Sequence, residues 1–540
     1  MHSTPCTAAP ARGRRARPLA AFILLLLSVP FSILPSQQAG AIEGRVTGAN
    51  TALPLAGVVV RLDGTPRGTV TGADGRYRID GVPAGTAVVV AHRAGLVTAR
   101  RPLTIAPGQT LTADFALADQ ALLIAPTVVS AAREITRRAD ASITIDVLDG
   151  GEVRRSRAAH PAELLNRLPG VHVSQLSGEG HSMAIRQPIT TKPMYLYLED
   201  GIPTRPTGFF NHNALYEVNI PQSNGIEVLK GPGTALYGSD AIGGVVNVLT
   251  RPAPVHPSVE ASVEGGAYGH GRLLATGGTT AGRHGVRADV NLTRADGWRD
   301  QARYERQSGT VRWDYASPGG LTVRTVLTGS LIDQQDVPSI GQALFDTLPE
   351  FNRAPIAFRK VQALRLSSAI ETERGATLWS VTPFARYNVL ELLPSWQLTF
   401  DPQLWDTRSR SIGLLAKVRH DLQPLHARVI AGVDLDLSPG SFLARQAVTT
   451  PQQGVWSSYT LGDTHYDYDV TYRAASPYVQ AELTPLPKLR LDVGLRWDAV
   501  GYVYRSRLTP LQTGAHRRPA DTTLTYSRVS PKIGVVYEAR

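Results

Sequence analysis

The sequence predicts an all-β dominated protein in three successive parts: a small β-sandwich, an α+β domain, and a partial antiparallel transmembrane β-barrel. In the first part, residues 42–118, short β-branched runs are separated by turn signals. The second, residues 140–252, combines a proline-led helical stretch with glycine-rich strands. The third, residues 253–540, alternates apolar and charged residues over stretches long enough for tilted membrane strands.

An export signal is predicted over residues 1–41. Four arginines precede the apolar run at residues 19–34, and a small-residue Ala-Gly-Ala segment then offers a peptidase site. A membrane anchor is the alternative, but the run is shorter than the ~20 residues that span a bilayer. Cleavage would start the mature chain near Ile42 and remove Cys6, the one cysteine, so the exported protein is not expected to rely on disulfides.

The charge balance argues against nucleic acid as a partner. Removing the leader takes away four arginines and no acids, so the formal net charge falls from +11 to +7. The remaining basic residues are interspersed with Asp and Glu and form no long basic run. A charged barrel interior explains the high isoelectric point better.

Residues 42–118 are expected to form the antiparallel β-sandwich. Two β-branched runs, at residues 57–62 and 87–91, are separated by Asp-Gly and Pro-Ala-Gly turn signals. This region resembles the carboxypeptidase regulatory-like domain, and the resemblance is carried by residues 54–58, 71–77 and 82–85. That domain is non-catalytic, and these residues contain neither a nucleophile with a base nor a metal-ligand cluster.

Residues 225–250 are the most informative stretch, with the pattern of strand, glycine-studded turns and strand. The glycines permit positive φ and close backbone approach between β-branched strands. A phosphate-binding loop is the alternative, because Gly233 and Gly238 have the spacing of a Walker A loop. Ser239 and Asp240 stand where that loop requires Lys and Ser or Thr, so nucleotide binding is not favoured.

This stretch closely resembles the end of the plug domain in TonB-dependent outer-membrane receptors. The plug signature consists of Gly231, Pro232, Tyr237, Gly238, Gly243, Gly244 and Asn247. The resemblance implies import of a scarce extracellular ligand, such as a siderophore-type iron chelate or cobalamin, across the outer membrane of a Gram-negative-type bacterium. It implies outer-membrane lipid and the periplasmic C-terminal domain of TonB, with its ExbB/ExbD energising complex, as partners. It implies neither enzymatic activity nor a cofactor.

A short extended segment between the sandwich and the plug resembles the TonB box. It follows Pro126 and consists of Thr127, Val128, Val129, Ser130 and Ala131. Such a strand would lend its unpaired backbone groups to the edge of a partner sheet in the periplasm. An ordinary linker strand is the alternative.

Within residues 140–252 the chain resembles the plug throughout. Pro161 begins a predicted helix, and His160 with Glu163 forms an H-x-x-E pair that zinc sites also use. No third ligand is evident, so a helix-start role is favoured. Residues 195–203 resemble the central plug strand and its turn. One departure lies at residues 185–188, where Gln and Pro follow Ile-Arg in place of the family's usual glycine, so the local loop is expected to differ.

A plug loop is expected to contact the extracellular ligand. Its aromatic, amide and imidazole groups suit an iron chelate or a sugar, and the candidate contacts are Phe209, Phe210, Asn211, His212 and Asn213. A solvated loop histidine is the alternative for His212.

From residue 253 onward, apolar side chains are expected to face lipid and charged ones the barrel interior. A soluble sandwich with one wet face is the alternative. The turn at residues 484–488 is expected to be periplasmic, and residues 333–359 and 438–472 are expected to be long extracellular loops. About twelve strands can be counted, whereas plugged transporters have about 22. We therefore expect a chain truncated within the barrel, because an open sheet edge in lipid leaves backbone groups unpaired.

The leading hypothesis is an energy-coupled receptor and transporter whose plug moves when its box is pulled. The alternative is a non-transporting or truncated surface binding protein of the same family. A surface enzyme would need a catalytic constellation, which the sequence does not offer. A passive pore would keep its uptake after deletion of residues 125–131, and a TonB-driven receptor would not.

Overall fold

The computed structural model describes residues 39–49, 51–93, 96–118, 127–128, 133, 136–190, 192–207, 214–423 and 426–539. Apart from its last three residues, the predicted signal peptide lies outside this range. No helix among the described residues is long and apolar enough to cross a membrane.

The amino-terminal unit is the predicted β-sandwich. Its strands are β1 (Gly40–Gly48), β2 (Val59–Leu62), β3 (Gly68–Val70), β4 (Arg76–Val82), β5 (Gly85–His92), β6 (Ala99–Ile105), β7 (Thr110–Thr112) and β8 (Phe115–Leu117). One sheet has the order β4-β1-β7 with β8 also beside β1, and the other has the order β3-β2-β5-β6. Alternate residues such as Ile42, Val60 and Tyr77 fill the core between them. Strand β1 includes two residues that cleavage near Ile42 would remove.

The middle domain, called the plug from here on, mixes short strands and short helices. A two-residue strand pair, β9 (Thr127–Val128) and β10 (Thr136–Arg137), precedes it. Its elements are β11 (Ile145–Asp149), α1 (Gly150–Ser156), α2 (Pro161–Leu165), β12 (Val171–Gln175), β13 (His181–Ile185), β14 (Tyr195–Glu199), β15 (Ile202–Pro203), β16 (Gly225–Lys230), α3 (Thr234–Tyr237) and β17 (Gly244–Leu249). Short 3₁₀ helices lie at Arg138–Asp140, Leu215–Glu217 and Ile220–Gln222.

The plug has its own sheet and its own core. Five strands pair in the order β11-β16-β17-β14-β15, with β14 and β17 parallel, and β12 pairs with β13 in a separate hairpin. Strands β16 and β17 flank the glycine-rich stretch and are buried almost throughout, which explains why β-branched and other apolar residues predominate in them. Apolar side chains such as Leu165, Met183 and Val246 close the core against α2 and the hairpin.

The carboxy-terminal part is one antiparallel sheet of twelve strands in chain order, called the barrel sheet. Its elements are β18 (Ser258–Gly265), β19 (Gly271–Ala281), β20 (His284–Ala295), β21 (Tyr304–Ala316), β22 (Leu321–Gln335), α4 (Gln342–Thr347), β23 (Phe358–Arg374), β24 (Thr377–Leu393), β25 (Gln403–Leu422), β26 (Ala427–Val448), β27 (Thr460–Leu486), β28 (Leu489–Ser506) and β29 (Thr522–Tyr537), with a 3₁₀ helix at Ser395–Gln397.

The predicted alternation of inward and outward side chains is present along these strands. On β20, Arg287, Asp289 and Asn291 are buried, whereas Val286 and Val290 are exposed on the opposite face. Polar groups therefore occupy one face of the sheet and apolar groups the other, as expected for a barrel with a polar interior and a lipid-facing exterior.

The connections are short at one end of the sheet and longer at the other. Strands β27 and β28 join through residues 487–488, as the short turn at 484–488 predicts, and residues 336–357 form a long connection that contains α4. We call the short-turn end the periplasmic end and the other the outer end, following the asymmetry expected of an outer-membrane barrel. The sandwich lies against the periplasmic end, where Arg100 pairs with Glu373 at 3.3 Å.

The prediction that residues 438–472 form a long loop was wrong in extent. Strand β26 continues to Val448 and β27 begins at Thr460, so only residues 449–459 connect them. The stretch is rich in polar residues and tyrosine, but it pairs residue by residue, as in Phe442 with Tyr468. Its backbone hydrogen bonds are therefore satisfied by a strand ladder that extends at the outer end.

We expect Val290→Arg to lower the free energy of unfolding by about 2–4 kcal/mol, because it places a charge on the lipid-facing side of β20. Urea titration of the protein in phospholipid vesicles, read by heat-modifiable gel mobility, measures this loss. Thr382→Arg is the matched control, since it lines an interior cavity. Equal losses in the two variants would contradict the assignment of faces.

Candidate functional site

Arginines on the inner face of the barrel sheet hold the plug by its backbone. Six of them donate hydrogen bonds to plug carbonyl oxygens: Arg272 to Ala158 (2.8 Å), Arg306 to Val218 (2.7 Å), Arg312 to Thr250 (3.0 Å), Arg365 to Glu217 (2.8 Å), Arg386 to Pro203 (2.9 Å) and Arg496 to Leu236 (3.3 Å). These arginines belong to strands from β19 to β28. The barrel sheet therefore curves around the plug, which lies inside the curve.

Buried ion pairs join the plug to the barrel sheet. Glu179 lies in the turn between β12 and β13 and accepts hydrogen bonds from Arg306 and from the hydroxyl of Tyr304. The side chains of Glu179 and Arg306 are both less than a tenth exposed. Glu199 at the end of β14 pairs with Arg365 at 3.0 Å. Removing one partner of such a pair leaves an uncompensated buried charge, so truncation of either side chain is expected to be destabilising.

The carboxylate of Glu217 accepts hydrogen bonds from both the plug and the barrel sheet. Arg205 of the plug donates to its carboxylate at 2.6 Å, and Asn388 of the barrel sheet donates at 3.0 Å. Arg205 and Glu217 flank the predicted ligand loop on its two sides. The residues on the two sides of that loop are therefore bonded to each other, and Glu217 is also bonded to the barrel sheet.

Two glycines of the signature adopt conformations that glycine favours. Gly231 has φ of 116° and Gly238 has φ of 78°. Between them, Pro232 leads towards α3, and Tyr237 ends it with a buried ring. A Cβ atom at Gly238 would lie 2.9 Å from the carboxylate of Asp498, so this turn directly contacts the barrel sheet.

The rest of the signature allows close packing inside the plug. A Cβ atom at Gly244 would lie 2.6 Å from the carbonyl oxygen of Leu229, and one at Gly243 would lie 2.4 Å from Nε2 of Gln187. Asn247 is fully buried, and its Oδ1 accepts from the backbone N–H of the turn before β15 at 2.9 Å. These signature residues therefore contribute to the packing of the plug.

The departure at residues 185–188 is accommodated locally. Arg186 takes a left-handed conformation with φ of 54°. Gln187 donates from Nε2 to the hydroxyl of Tyr195 at 2.7 Å, and the same oxygen accepts from the N–H of Ile185 at 3.0 Å. Gln187 therefore fills the space beside Gly243.

His160 and Glu163 form a capping box at the start of α2. Nδ1 of His160 accepts from the N–H of Ala162 at 2.9 Å, and the Glu163 carboxylate accepts from the N–H of His160 at 3.2 Å. Burial lowers the pKa of His160, which keeps the ring neutral and able to accept. The pair satisfies helix N–H groups, the role favoured from the sequence.

Only part of the predicted TonB box is described. Thr127 and Val128 form β9, which pairs antiparallel with Arg137 and Thr136 of β10. The remaining box residues, Val129, Ser130 and Ala131, lie outside the described residues.

Arg133, just after the box, is anchored between the plug and the barrel sheet. Its guanidinium donates two hydrogen bonds of 2.8 Å to the carboxylate of Asp434 on β26. It also lies over the rings of Tyr237 of the plug and Tyr478 of β27, at 4.8 and 4.9 Å from their centroids. Arg496 of β28 donates to the same carboxylate at 2.6 Å. The box is therefore followed by a multiply bonded side chain that sequence reasoning missed.

The predicted ligand contacts Phe209, Phe210, Asn211, His212 and Asn213 lie outside the described residues. The position of their loop is marked by Thr207, whose carbonyl accepts from the hydroxyl of Tyr502 at 3.3 Å. Tyr502 lies near the outer end of β28, four residues before the strand ends. The loop therefore starts at the outer side of the plug.

A wall of aromatic rings lies at this outer end and was also missed from the sequence. Successive centroids are 6.2 Å apart for Trp405 and Phe442, 5.3 Å for Phe442 and Tyr468, and 4.9 Å for Tyr468 and Tyr504. The Tyr-x-Tyr spacing at residues 466–468 and 502–504 is the available signal, since it places both rings on one face of a strand.

Comparison with known families agrees with this architecture. The carboxypeptidase regulatory-like domain matches residues 41–118, the TonB-dependent receptor plug domain matches residues 137–245, and the TonB-dependent receptor-like β-barrel matches residues 257–540. The chain belongs to the TonB-dependent receptor family. Members of this family are outer-membrane proteins of Gram-negative bacteria and are not enzymes, and both statements hold for this receptor.

Individual relatives cover only parts of the receptor. The vitamin B12 transporter BtuB of Vibrio vulnificus (strain CMCP6) is 36% identical over 126 residues, which are 23% of this chain and 20% of that protein. The ferric citrate transporter FecA has a TM-score of 0.63 at 18% identity, with 75% of this chain and 61% of that chain covered. The ferric-catecholate import receptor Fiu of E. coli K12 has a TM-score of 0.61 at 15% identity, with 76% of this chain and 70% of that chain covered. The chain thus spans less than two thirds of the first two relatives, and the structural similarities show the fold.

We expect Gly244→Val to unfold the plug selectively, because the new side chain must displace the backbone of Leu229 and overpacking of this kind costs about 1–3 kcal/mol or more. Limited proteolysis measures plug stability, and heat-modifiable mobility reports the barrel separately. Gly265→Val is the control, since a Cβ atom there meets nothing within 4 Å. Plug fragments equally resistant in both variants would refute the packing role of Gly244.

Proposed function

We propose that this receptor imports a scarce, bulky ligand, such as an iron chelate or cobalamin, by energy-coupled movement of its plug. The observation that supports this proposal is that the plug has its own core and is held to the barrel sheet largely by arginine contacts and ion pairs. Such groups can exchange partners with water as the plug shifts, without exposing a large apolar seam. Relatives named for vitamin B12 and ferric citrate transport support this class of cargo.

Ligand capture would occur at the outer end, between the aromatic wall and the plug loop. Phe209, Phe210 and His212 would add aromatic and imidazole contacts, and Asn211 and Asn213 would supply amide groups. Large rigid rings with a few polar groups are typical of sites for bulky ligands. A ligand that pulls on this loop also perturbs Glu217 and its contact with the barrel sheet, which links binding to the position of the plug.

Energy would enter through the TonB box. Residues Thr127, Val128, Val129, Ser130 and Ala131 would add a strand to the periplasmic domain of TonB, energised by ExbB/ExbD. The pairing of β9 with β10 involves only two residues on each strand. A longer partner strand can therefore replace β10 at little cost.

Arg133 would transmit the pull. It lies two residues beyond the box and bonds to Asp434, which Arg496 also contacts. Arg496 in turn donates to the carbonyl of Leu236 at the end of the glycine-rich turn. Withdrawal of Arg133 removes one cation from this cluster and so loosens the contact between plug and wall.

Deletion of residues 125–131 is expected to abolish uptake and to leave ligand binding intact, because the box contributes to coupling and not to the outer site. Radiolabelled ligand bound to cells at low temperature measures binding. Its transfer into the same cells after warming and energisation measures uptake. A scrambled box of the same length is the matched control for linker length.

Full uptake after the deletion would refute energy coupling and favour a passive pore. Binding without uptake even in the intact receptor would favour the non-transporting surface protein.

Arg133→Met is expected to strengthen binding of the purified periplasmic TonB domain to the ligand-free receptor about tenfold, or ~1.4 kcal/mol, because it releases the box from Asp434. Isothermal titration measures the Kd. Arg137→Met is the control, since the Arg137 side chain is exposed and Asp140 keeps a second ion pair with Arg490 when Arg137 is replaced. An unchanged Kd for Arg133→Met would exclude the anchoring role.

A further inference from the structure

Three side chains with metal-binding atoms converge at the outer end of the barrel sheet. Asp401 lies in the connection before β25, His465 near the start of β27, and His516 in the connection between β28 and β29. The sequence separates them by 51 residues or more. They are brought together because the outer ends of β25 to β28 are neighbours in the sheet.

The geometry of this cluster is compact. Each residue offers one ligand atom, and these atoms all lie within 4.8 Å of one another. The two imidazoles stack with centroids 3.6 Å apart and an angle of 21° between the rings. Nε2 of His516 lies 3.6 Å from Oδ1 of Asp401. All three side chains are partly buried, so their approach is a feature of the fold rather than of free surface rotamers.

One ring nitrogen of the cluster is buried without a hydrogen bond to any described residue. Nδ1 of His465 is buried and has no hydrogen-bond partner among the described residues. A buried, unpaired ring nitrogen costs free energy. A cation held by lone pairs from both rings and from the carboxylate removes that cost.

The surroundings leave these lone pairs available. Gln403 donates to Oδ2 of Asp401, which leaves Oδ1 facing His516. Arg518 is the nearby cation, and its guanidinium donates to the carbonyl oxygens of Thr509 and His465 at 3.1 Å each. Among the described residues, the Arg518 side chain therefore bonds to backbone carbonyl oxygens and not to the Asp401 carboxylate.

We propose that Asp401, His465 and His516 bind a divalent transition-metal ion of the zinc class at the outer end of the receptor. Two imidazoles and one carboxylate are a donor set that suits Zn²⁺ and related ions and not Mg²⁺ or Ca²⁺. Three protein ligands leave a coordination position for water or for a donor atom of an incoming ligand. Closing the ligand atoms around an ion requires rotation of the stacked rings so that their lone pairs converge, and the ion would tie three outer segments together.

The test uses the untagged full chain in detergent, stripped with a chelator and titrated with Zn²⁺ against a chromophoric competitor. One ion per chain is expected, and His516→Gln and Asp401→Asn are each expected to weaken that binding at least tenfold. Co²⁺ substitution is expected to give a visible d–d absorption band that the same variants lose.

His284→Gln is the matched control, because His284 also stacks on an aromatic ring, that of Trp313, at the periplasmic end. It is expected to leave the affinity and the Co²⁺ band unchanged, as is a large excess of Mg²⁺. Heat-modifiable mobility verifies that each variant is folded. Folded Asp401→Asn and His516→Gln variants that bind one ion as tightly as the native chain would overturn the proposal, and so would a stoichiometry of zero. Neither result bears on uptake through the TonB box.

Discussion

The arginines of the inner barrel wall are the constraint on which the rest of this structure depends. An arginine cannot shed its proton inside a protein, so each one that points into the lumen must find acceptors or remain solvated. Arg306 and Arg365 each find both a carboxylate and a backbone carbonyl on the plug. The plug therefore has to present acceptors around its surface, which explains why Glu179, Glu199 and Glu217 are buried at the boundary.

This type of boundary differs from a hydrophobic domain interface. Among the described residues, Tyr216 is the plug residue in the apolar cluster that wall and plug share, where it packs among Ile332, Val361 and Leu390 of the barrel sheet. Apolar side chains of the described plug strands and helices form a core of their own. A plug held in this way keeps its fold when its wall contacts are exchanged for water, so it can shift as a unit while its own stability is retained.

Local sequence patterns predicted the strands and the glycine-rich turns. Features that depend on contacts between residues far apart in the sequence were not predicted. Alternation such as that around Arg287 predicted the strands and their faces, and the glycine-rich turns predicted the plug, because both depend on neighbouring residues. The length of β26 and β27 was underestimated, since a polar strand is recognised only by its partner. Arg133 meets Asp434 across 301 residues, and no local pattern marks such a pair. The aromatic wall and the cluster around His465 likewise arise from strands that the barrel sheet brings together.

The central claim is that the plug lies within the curve of the barrel sheet with its β12–β13 hairpin at the outer end. Ser177 of that hairpin hydrogen-bonds through Oγ to both the N–H and the carbonyl of Val337, in the connection after β22. The direct measurement is oxidative cross-linking of Ser177→Cys with Val337→Cys in intact cells, on a mature chain that has no other cysteine once the predicted leader is removed. A disulfide in this pair, and none between Ser177→Cys and Val259→Cys on the lipid face, is the expected result. Failure of the first pair to cross-link in folded protein would contradict the placement of the plug.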